Sequence, residues 1–181
     1  MQTLKFFNEI STNRYVQIVP FHWAHPRVMD LRSFDREYYD VLPNYDDMLR
    51  SFQAEGNACT ALYRGKIFAC FGTNILWPGV GEGWLLTGKQ VDTLAVSVTR
   101  CARRYFNHIA TTEGLKRLQL TVNAENELAV RWAYALQFTR EGLLRNYGPT
   151  GADHIMFARI YECPHCLKPH QCRRRSKLRQ R

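Results

Sequence analysis

The feature that most constrains the fold is a segment in which apolar residues recur with the period of a helix, followed by a segment in which apolar and polar residues alternate as in a strand. In the first, apolar residues recur at spacings of three and four and define one broad face; they are Leu94, Ala95, Val98, Cys101, Ala102, Tyr105, Phe106 and Ile109. In the second, Leu118–Val122, apolar and polar residues alternate as in a half-buried strand. These patterns predict a sheet with helices packed on it.

The rest of the chain adds shorter elements of both kinds. We predict strands at Tyr15–Val19, Ala58–Tyr63, Lys66–Ile75, Trp84–Thr87 and His154–Tyr161, and further helices after Pro26, at Tyr45–Leu49 and through Leu128–Leu136. A tight turn at Arg64 and Gly65 joins the second and third strands as a hairpin. This order predicts an α/β (α+β) domain with a mixed, mostly antiparallel central sheet flanked by helices.

The length of 181 residues and the 45% hydrophobic content suit one domain with a full core. We place that domain at residues 1–161 and a short tail at 162–181. The chain has no apolar run of membrane-spanning length and no secretory signal, so we expect a soluble protein made in a cytoplasm. Cys59, Cys70 and Cys101 lie in apolar surroundings, which predicts reduced core thiols and no disulfide framework.

The net charge of +9 is concentrated at one end. Seven basic and no acidic residues lie between Lys168 and Arg181, so residues 1–167 carry only +2. Basic residues that suit non-specific contact with DNA phosphates, or with an acidic surface of another protein, are Arg173, Arg174, Arg175, Lys177, Arg179 and Arg181. A plain solvated tail is the alternative. A nucleic-acid-binding module would rest on this tail alone.

The same tail carries a cluster of soft metal ligands. Four of them, Cys163, Cys166, His170 and Cys172, supply the three thiolates and one imidazole of a tetrahedral zinc site. The first pair has the spacing of a metal knuckle, while the second pair is tighter than usual zinc patterns. The sequence therefore predicts either a structural zinc site or a reduced tail without metal.

The second predicted helix of the C-terminal half carries a motif. Asn126, Ala129, Trp132 and Phe138 stand where the GNAT superfamily of acyl-CoA-dependent N-acyltransferases has Asn-x-x-Ala-x-x-Leu-Tyr-x-x-x-Gly-Phe. Residues 58–160 resemble that superfamily well, and the N-terminal third does so by element order. The resemblance implies a GNAT-like fold with an acetyl-CoA site at the start of the long helix, where backbone N–H groups and the helix dipole favour phosphate.

The resemblance also implies that this cofactor site is degenerate. Gln90 and Ala95 match the first and last positions of the superfamily's Gln/Arg-x-x-Gly-x-Gly/Ala loop, and Asn126 belongs to the same site. Thr93 replaces the first glycine, so its side chain either obstructs the approach of phosphate or caps the helix. We expect weakened acetyl-CoA binding.

The catalytic positions depart from the superfamily as well. Ala133 occupies the position of the tyrosine that protonates the leaving thiolate, and Tyr134 is rotated about 100° away. Glu82 precedes the short central strand and is the candidate general base, although a solvated loop carboxylate is the simpler interpretation. Gln137 replaces the glycine that ends the helix. Tyr147 is interpreted as a packing residue.

A narrower resemblance concerns the central strand and the loop after it. Trp84–Thr87 followed by Gln90–Ala95 resembles the GNAT-like internal virion proteins of short-tailed bacteriophages. This implies a structural or assembly protein located in the virion, and in the host cytoplasm during assembly, with other virion proteins as partners. An exposed aromatic pair, Tyr38-Tyr39, is a candidate contact. The alternative is an active acetyl-CoA-dependent N-acetyltransferase that modifies a host protein or a small amine.

Overall fold

The computed structural model describes residues 15–161. Seven strands form one sheet: β1 (Val16–Pro20), β2 (Ala58–Tyr63), β3 (Lys66–Trp77), β4 (Val80–Thr87), β5 (Arg117–Asn123), β6 (Thr139–Leu144) and β7 (His154–Ile160). Four α-helices accompany it: α1 (Ser33–Val41), α2 (Tyr45–Glu55), α3 (Ala95–Thr112) and α4 (Glu127–Ala135). Two 3-10 turns, His25–Val28 and Lys89–Leu94, precede α1 and α3.

The strand order is β1-β2-β3-β4-β5-β7-β6. Neighbouring strands are antiparallel except β4 and β5, which are parallel and connected by α3. A parallel pair needs a long crossover, and the helix supplies it. The predicted mixed, mostly antiparallel sheet with flanking helices is confirmed.

The two faces of the sheet have separate cores. On one face α3 and α4 bury a cluster that includes Tyr105, Phe106, Ile109, Leu118, Leu136 and Phe157. On the other face α1 and α2 bury a smaller cluster that includes Phe21, Met29, Leu31, Tyr45, Leu49 and Leu86. The side chains of each strand alternate between these two cores, as the period of a strand requires. No helix among residues 15–161 is long and apolar enough to span a membrane.

Strand β4 begins four residues earlier than predicted, within a segment that its glycines identified as a loop. A Cβ on Gly81 would lie 3.0 Å from the Leu115 side chain, and one on Gly83 would lie 3.2 Å from the Phe106 ring. The glycines therefore let β4 pass close beneath the side chains of the α3 layer. Glycine here marks close approach and not a turn.

Three other elements differ from the sequence predictions. The helix expected after Pro26 is a single 3-10 turn, because Met29 is extended and Leu31 bridges Gly88 at the end of β4. Helix α1 was missed, because its amphipathic face consists mainly of aromatic residues set among charged ones, and none of its residues is fully buried. Strand β6 was also missed, since it is a mostly exposed edge strand with few apolar residues.

The cysteines behave as the sequence indicates. Cys59 and Cys70 are buried and Cys101 is half-buried, and none of the three forms a disulfide among the described residues. Burial raises the pKa of the Cys59 and Cys70 thiols to about 12, so they stay protonated near neutral pH. These two thiols pack as small apolar groups.

Helix α4 ends without the glycine that usually permits this type of ending. Gln137 adopts φ +70°, in the left-handed region. Its N–H donates to Tyr134 O, and the N–H of Phe138 donates to Ala133 O, which together form a Schellman motif. A residue with a Cβ is strained in this conformation.

We therefore expect Gln137→Gly to raise the free energy of unfolding by about 0.5–1 kcal/mol. Glycine relieves the strain of the left-handed conformation, and the greater entropy of glycine in the unfolded chain offsets part of this gain. Urea unfolding measures this change. Gln137→Ala is the control, because it removes the same exposed side chain and keeps the strain. An equal gain from alanine would contradict the backbone explanation.

Candidate functional site

The sheet divides at its centre. Strands β4 and β5 pair only where Val80–Glu82 face Arg117–Gln119. Beyond this point β4 continues to Thr87 and β5 to Asn123 with no pairing across the gap. The gap leads into a cavity of about 880 Å³. A cavity of this size holds a small-molecule ligand or cofactor.

The cavity reaches both faces of the sheet. Ala95, Val98 and Ala102 of α3 line it on one face, while Asp35 and Tyr38 of α1 line it on the other. The alternation of β4 directs Glu82 and Trp84 toward the α1 and α2 face, where the Trp84 ring stacks on Phe52 with centroids 4.7 Å apart. A ligand in the gap can therefore contact groups from both helical layers.

The start of α3 differs from a glycine-rich loop. The preceding residues form a 3-10 turn in which Val91 and Leu94 are buried while Gln90 and Thr93 are exposed. The Thr93 hydroxyl donates to the Gln90 carbonyl at 2.9 Å. The N-cap is Leu94, with no side-chain hydrogen bond to the first turn, so the suggestion that Thr93 caps this helix is wrong.

The first N–H groups of α3 thus receive no capping oxygen from a side chain of this turn, and the positive end of the helix dipole there favours an anion. A shallow depression of about 300 Å³ lies beside them, lined by Ala95, Val96, Thr99, Arg100 and Arg103. Arg103 also donates to the Ala135 carbonyl, which anchors α3 to α4. The positive charge of this surface suits phosphate.

The predicted site residues fall into two groups. Glu82, Ala95 and Asn126 line the cavity, whereas Gln90 and Thr93 lie on the outside of the 3-10 turn. Glu82 is half-buried at the last paired position of β4, where the strands begin to separate. The Asn126 side chain accepts from the Ala129 N–H at 3.1 Å and caps α4. The catalytic and cofactor-binding roles of these five residues stay predictions.

The position expected to hold a catalytic phenol contains no polar atom in its side chain. Ala133 lines the cavity and is 1% exposed. Tyr134 is half-exposed and its ring packs edge-on against Phe157 at 5.2 Å, as the rotation of one helical residue predicts. Helix α4 therefore offers the cavity no hydroxyl at this point.

A half-buried carboxylate lies near the far end of β4. Asp35 accepts from both the N–H and the hydroxyl of Thr87, at 3.0 and 2.7 Å. Burial raises the pKa of Asp35 above its usual value, and the two bonds from Thr87 together with nearby Arg32 only partly oppose this. Asp35 therefore links α1 to β4. Holding its ionised carboxyl away from water costs folding free energy, and protonation of the carboxyl removes that cost.

A tyrosine and a histidine meet in the lining of the cavity. The Tyr38 hydroxyl lies 2.6 Å from His154 Nε2, and Tyr147 packs its ring 5.3 Å from the histidine. All three residues line the cavity. The view of Tyr38-Tyr39 as an exposed aromatic pair is wrong, because both side chains are partly buried and Tyr39 donates to Asp46.

Sequence reasoning missed the Tyr38–His154 pair. The two residues are 116 positions apart in the chain, and each stands in a segment with no motif. The only available signal was His154 at the start of an otherwise apolar strand. A histidine in this place more often ends a strand than belongs to a functional site.

The predictions for the tail fall outside the described residues. They concern the zinc ligands Cys163, Cys166, His170 and Cys172 and the basic residues from Arg173 to Arg181. Among residues 15–161, no group of three or more potential ligands is arranged to hold a metal ion.

Solved acetyltransferases have this fold. An acetyltransferase (GNAT family) from Bacillus anthracis matches with a TM-score of 0.62 at 14% identity, over 81% of this chain and 95% of its own. Ard1 from Thermoplasma volcanium gives 0.64 at 12% identity, over 81% and 97%. The microcin C7 self-immunity acetyltransferase MccE, in complex with acetyl-CoA and AMP, gives 0.60 at 13% identity, over 82% and 94%.

The GNAT-like fold is therefore confirmed, while these low identities show the fold alone. No protein-family model matches the chain, and no curated protein matches it in sequence. The structural neighbours do not link the chain to internal virion proteins of bacteriophages, so that narrower resemblance rests on the sequence only.

The cleft has groups that suit the amides and the phosphates of an acyl thioester of coenzyme A. The edge of β4 from Gly83 to Leu86 has no ladder partner on the β5 side, and a ligand with amide groups can pair with such an edge. The uncapped start of α3 and the adjacent Arg100 suit phosphates. Thr93 is a departure from the family loop, but its hydroxyl is directed to the Gln90 carbonyl. The residues present fit this cofactor.

The raised pKa of Asp35 predicts a pH-dependent effect on stability. A carboxyl whose pKa is higher in the folded state destabilises the fold increasingly as pH rises from the usual 3.8 through the raised value. Asp35→Asn keeps an acceptor for Thr87 and removes the charge. We expect the free energy of unfolding of this variant, relative to the unsubstituted protein, to increase between pH 4 and pH 7.

Urea unfolding at both pH values measures this difference. Asp40→Asn is the matched control, because Asp40 is an exposed carboxylate on the same helix. If the free energy of unfolding of Asp35→Asn, relative to the unsubstituted protein, decreases as pH rises, the folded state favours the ionised Asp35 carboxyl. That result would contradict the raised pKa.

Proposed function

We propose that the cleft binds an acyl thioester of coenzyme A, such as acetyl-CoA, and that the protein is an N-acyltransferase. The observation that carries this proposal is the separation of β4 from β5 after Glu82 into an open cavity that runs from the start of α3 to α1. A cleft that had lost its ligand during evolution could have been filled by side chains. This one remains about 880 Å³ in volume.

Two parts of the chain would hold the cofactor. The unpaired edge of β4 would bond the amide groups of its pantetheine arm, and the first N–H groups of α3 would hold its phosphates, helped by Arg100. Bound acetyl-CoA would supply an activated acyl group and a thiolate leaving group. The complex of the structural neighbour MccE with acetyl-CoA supports this assignment by analogy of fold.

Glu82 would accept the proton of the acceptor amine. Its side chain lies on the α1 and α2 face, next to the point where the strands separate, and Asn74 on β3 stands opposite it. A half-buried carboxylate in this place can take a proton directly or through one water molecule. The acceptor is an amine that reaches the cleft between α1, α2 and the turn after β6.

Calorimetric titration of the full-length protein with acetyl-CoA tests binding. We expect a micromolar dissociation constant, about −8 kcal/mol. Thr93→Gly should bind as well or better, because it removes the side chain from the phosphate-binding turn. Glu82→Gln should keep this affinity and slow acetyl transfer to hydroxylamine, a small amine acceptor, by about 100-fold.

Glu113→Gln, at the far end of α3, is the control carboxylate and should leave both quantities unchanged. No binding up to millimolar acetyl-CoA would contradict the proposal. Normal turnover by Glu82→Gln would remove Glu82 from the mechanism without affecting the binding site.

A second candidate function is a structural or assembly protein of a bacteriophage particle without efficient acetyl transfer. Ala133 favours it, because this position of α4 lacks the phenol that active members of the superfamily use. Its partners would be other virion proteins, and the tail would contact DNA or an acidic protein surface, with or without bound zinc. The resemblance of Trp84–Thr87 and Gln90–Ala95 to internal virion proteins supports it.

Removal of residues 162–181 tests this second function. We expect fewer complete particles from a phage that carries the truncated gene, together with loss of zinc from the purified protein and loss of any salt-dependent DNA binding. Acetyl-CoA affinity is the internal control, since the cleft lies within residues 15–161. Particles of normal yield and content would contradict a role of the tail in assembly.

A further inference from the structure

The Tyr38–His154 pair is the strongest polar feature of the cavity that the proposed mechanism does not use. The phenol oxygen and His154 Nε2 are 2.6 Å apart. His154 is 4% exposed, and the backbone at Gly148 closes over its ring so tightly that a Cβ there would lie 3.0 Å from Nε2. The pair joins α1 to the start of β7 in the lining of the cavity.

The other ring nitrogen determines which atom carries the proton. His154 Nδ1 is buried and has no hydrogen-bond partner among the described residues. Burial lowers the pKa of His154, so its ring is neutral near pH 7 and carries one N–H. An unpaired buried N–H is less common than an unpaired buried acceptor. The favoured tautomer therefore has its proton on Nε2 and donates it to the Tyr38 oxygen.

In that tautomer the Tyr38 hydroxyl does not donate to the histidine, and its proton is available to the cavity that the residue lines. We propose that Tyr38 is the proton donor of this cleft and that His154 is the residue that orients it. This inference rests on the proposed acyl transfer. It explains how a site with Ala133 in α4 can still protonate a leaving group, because the phenol comes from α1 on the opposite face.

The proton balance closes within the cleft. As an amine forms its C–N bond with the acyl group and the C–S bond breaks, Glu82 takes one proton from the amine and Tyr38 gives one to the sulfur. The Nε2–H of His154 stabilises the resulting phenolate. Tyr38 regains a proton through solvent as Glu82 releases one, so the pair returns to its starting state.

Burial and the groups around the pair keep the phenol protonated before reaction. Burial, followed by Glu37, Tyr147 and Asp35, raises the pKa of Tyr38 to about 12. Glu37 also acts on His154, whose pKa it raises against the larger effect of burial. Tyr38 can therefore act as an acid at neutral pH and not as a base.

Nuclear magnetic resonance of the nitrogen-labelled full-length protein tests the tautomer without any ligand. Long-range proton–nitrogen spectra distinguish Nε2–H from Nδ1–H, and loss of a signal in His154→Gln assigns the ring among the six histidines. We expect a neutral Nε2–H imidazole at pH 7. A Nδ1–H tautomer, or a charged ring, would overturn the orienting role.

Kinetics with acetyl-CoA and hydroxylamine test the donor. We expect Tyr38→Phe to slow release of coenzyme A by about 100-fold or more, while its calorimetric affinity for acetyl-CoA stays close to that of the unsubstituted protein. Tyr39→Phe is the matched control. It removes a neighbouring phenol that bonds Asp46 instead of the histidine, and it should leave the rate unchanged.

Two substitutions of His154 separate orientation from packing. His154→Gln retains an N–H donor in a similar place and should preserve most of the rate, whereas His154→Leu should slow it about as much as Tyr38→Phe. If His154 acted only through packing, both variants would lower the rate in proportion to their loss of stability in urea. That pattern would overturn its proposed role.

The experiment also separates this inference from the function on which it rests. If the unsubstituted protein neither binds acetyl-CoA nor transfers its acetyl group, both proposals are overturned. If it does both, and Tyr38→Phe has a normal rate, only the assignment of Tyr38 is overturned.

Discussion

The short parallel pairing of β4 with β5 is the constraint on which the rest of the structure depends. Three residues of each strand hold the two halves of the sheet together, and the strands then separate. Backbone groups along the separated edges lose their ladder partners, and buried backbone groups need partners of some kind. The protein thus has, at its centre, a site whose hydrogen-bonding demands are met best by a ligand or by water.

The packing around this gap explains why it stays open. On the α3 side Gly81 and Gly83 bring β4 close beneath Leu115 and Phe106, which fixes the strand against the helix. On the other side Asp35 bonds to Thr87 and holds α1 to the end of β4. Strand β4 is therefore anchored to both helical layers, and the space beyond its paired residues stays open.

This architecture also separates the chemistry into two faces. The start of α3 and its arginines form a positive surface on one face, while Glu82, Tyr38 and His154 belong to the other. A phosphate-bearing ligand that enters from the first face would present its reactive end to the second. The absence of a phenol at Ala133 then has less weight than it had in the sequence alone, because proton donors can reach the same cavity from α1.

The sequence by itself determined the elements whose patterns are local. The period of Leu94–Ile109 predicted the long helix, the alternation of Leu118–Val122 predicted the strand after it, and the motif around Asn126 indicated the GNAT-like fold. These predictions succeeded because periodicity records which side of each element is buried. The sequence also proposed Glu82, from its position before the central strand, and Asn126, from the superfamily motif, and both residues line the cavity.

Only the tertiary structure decided what a local pattern cannot record. Strand β6 has little apolar periodicity, and helix α1 has an amphipathic face but no fully buried residue. The glycines of β4 suggested a loop, and only the Phe106 ring over Gly83 and the Leu115 side chain over Gly81 explain why larger residues do not fit there. The Tyr38–His154 contact joins residues 116 positions apart. Such pairings depend on how the helical layers close over the sheet, and that closure is set by packing between distant segments, which no short stretch of the sequence encodes.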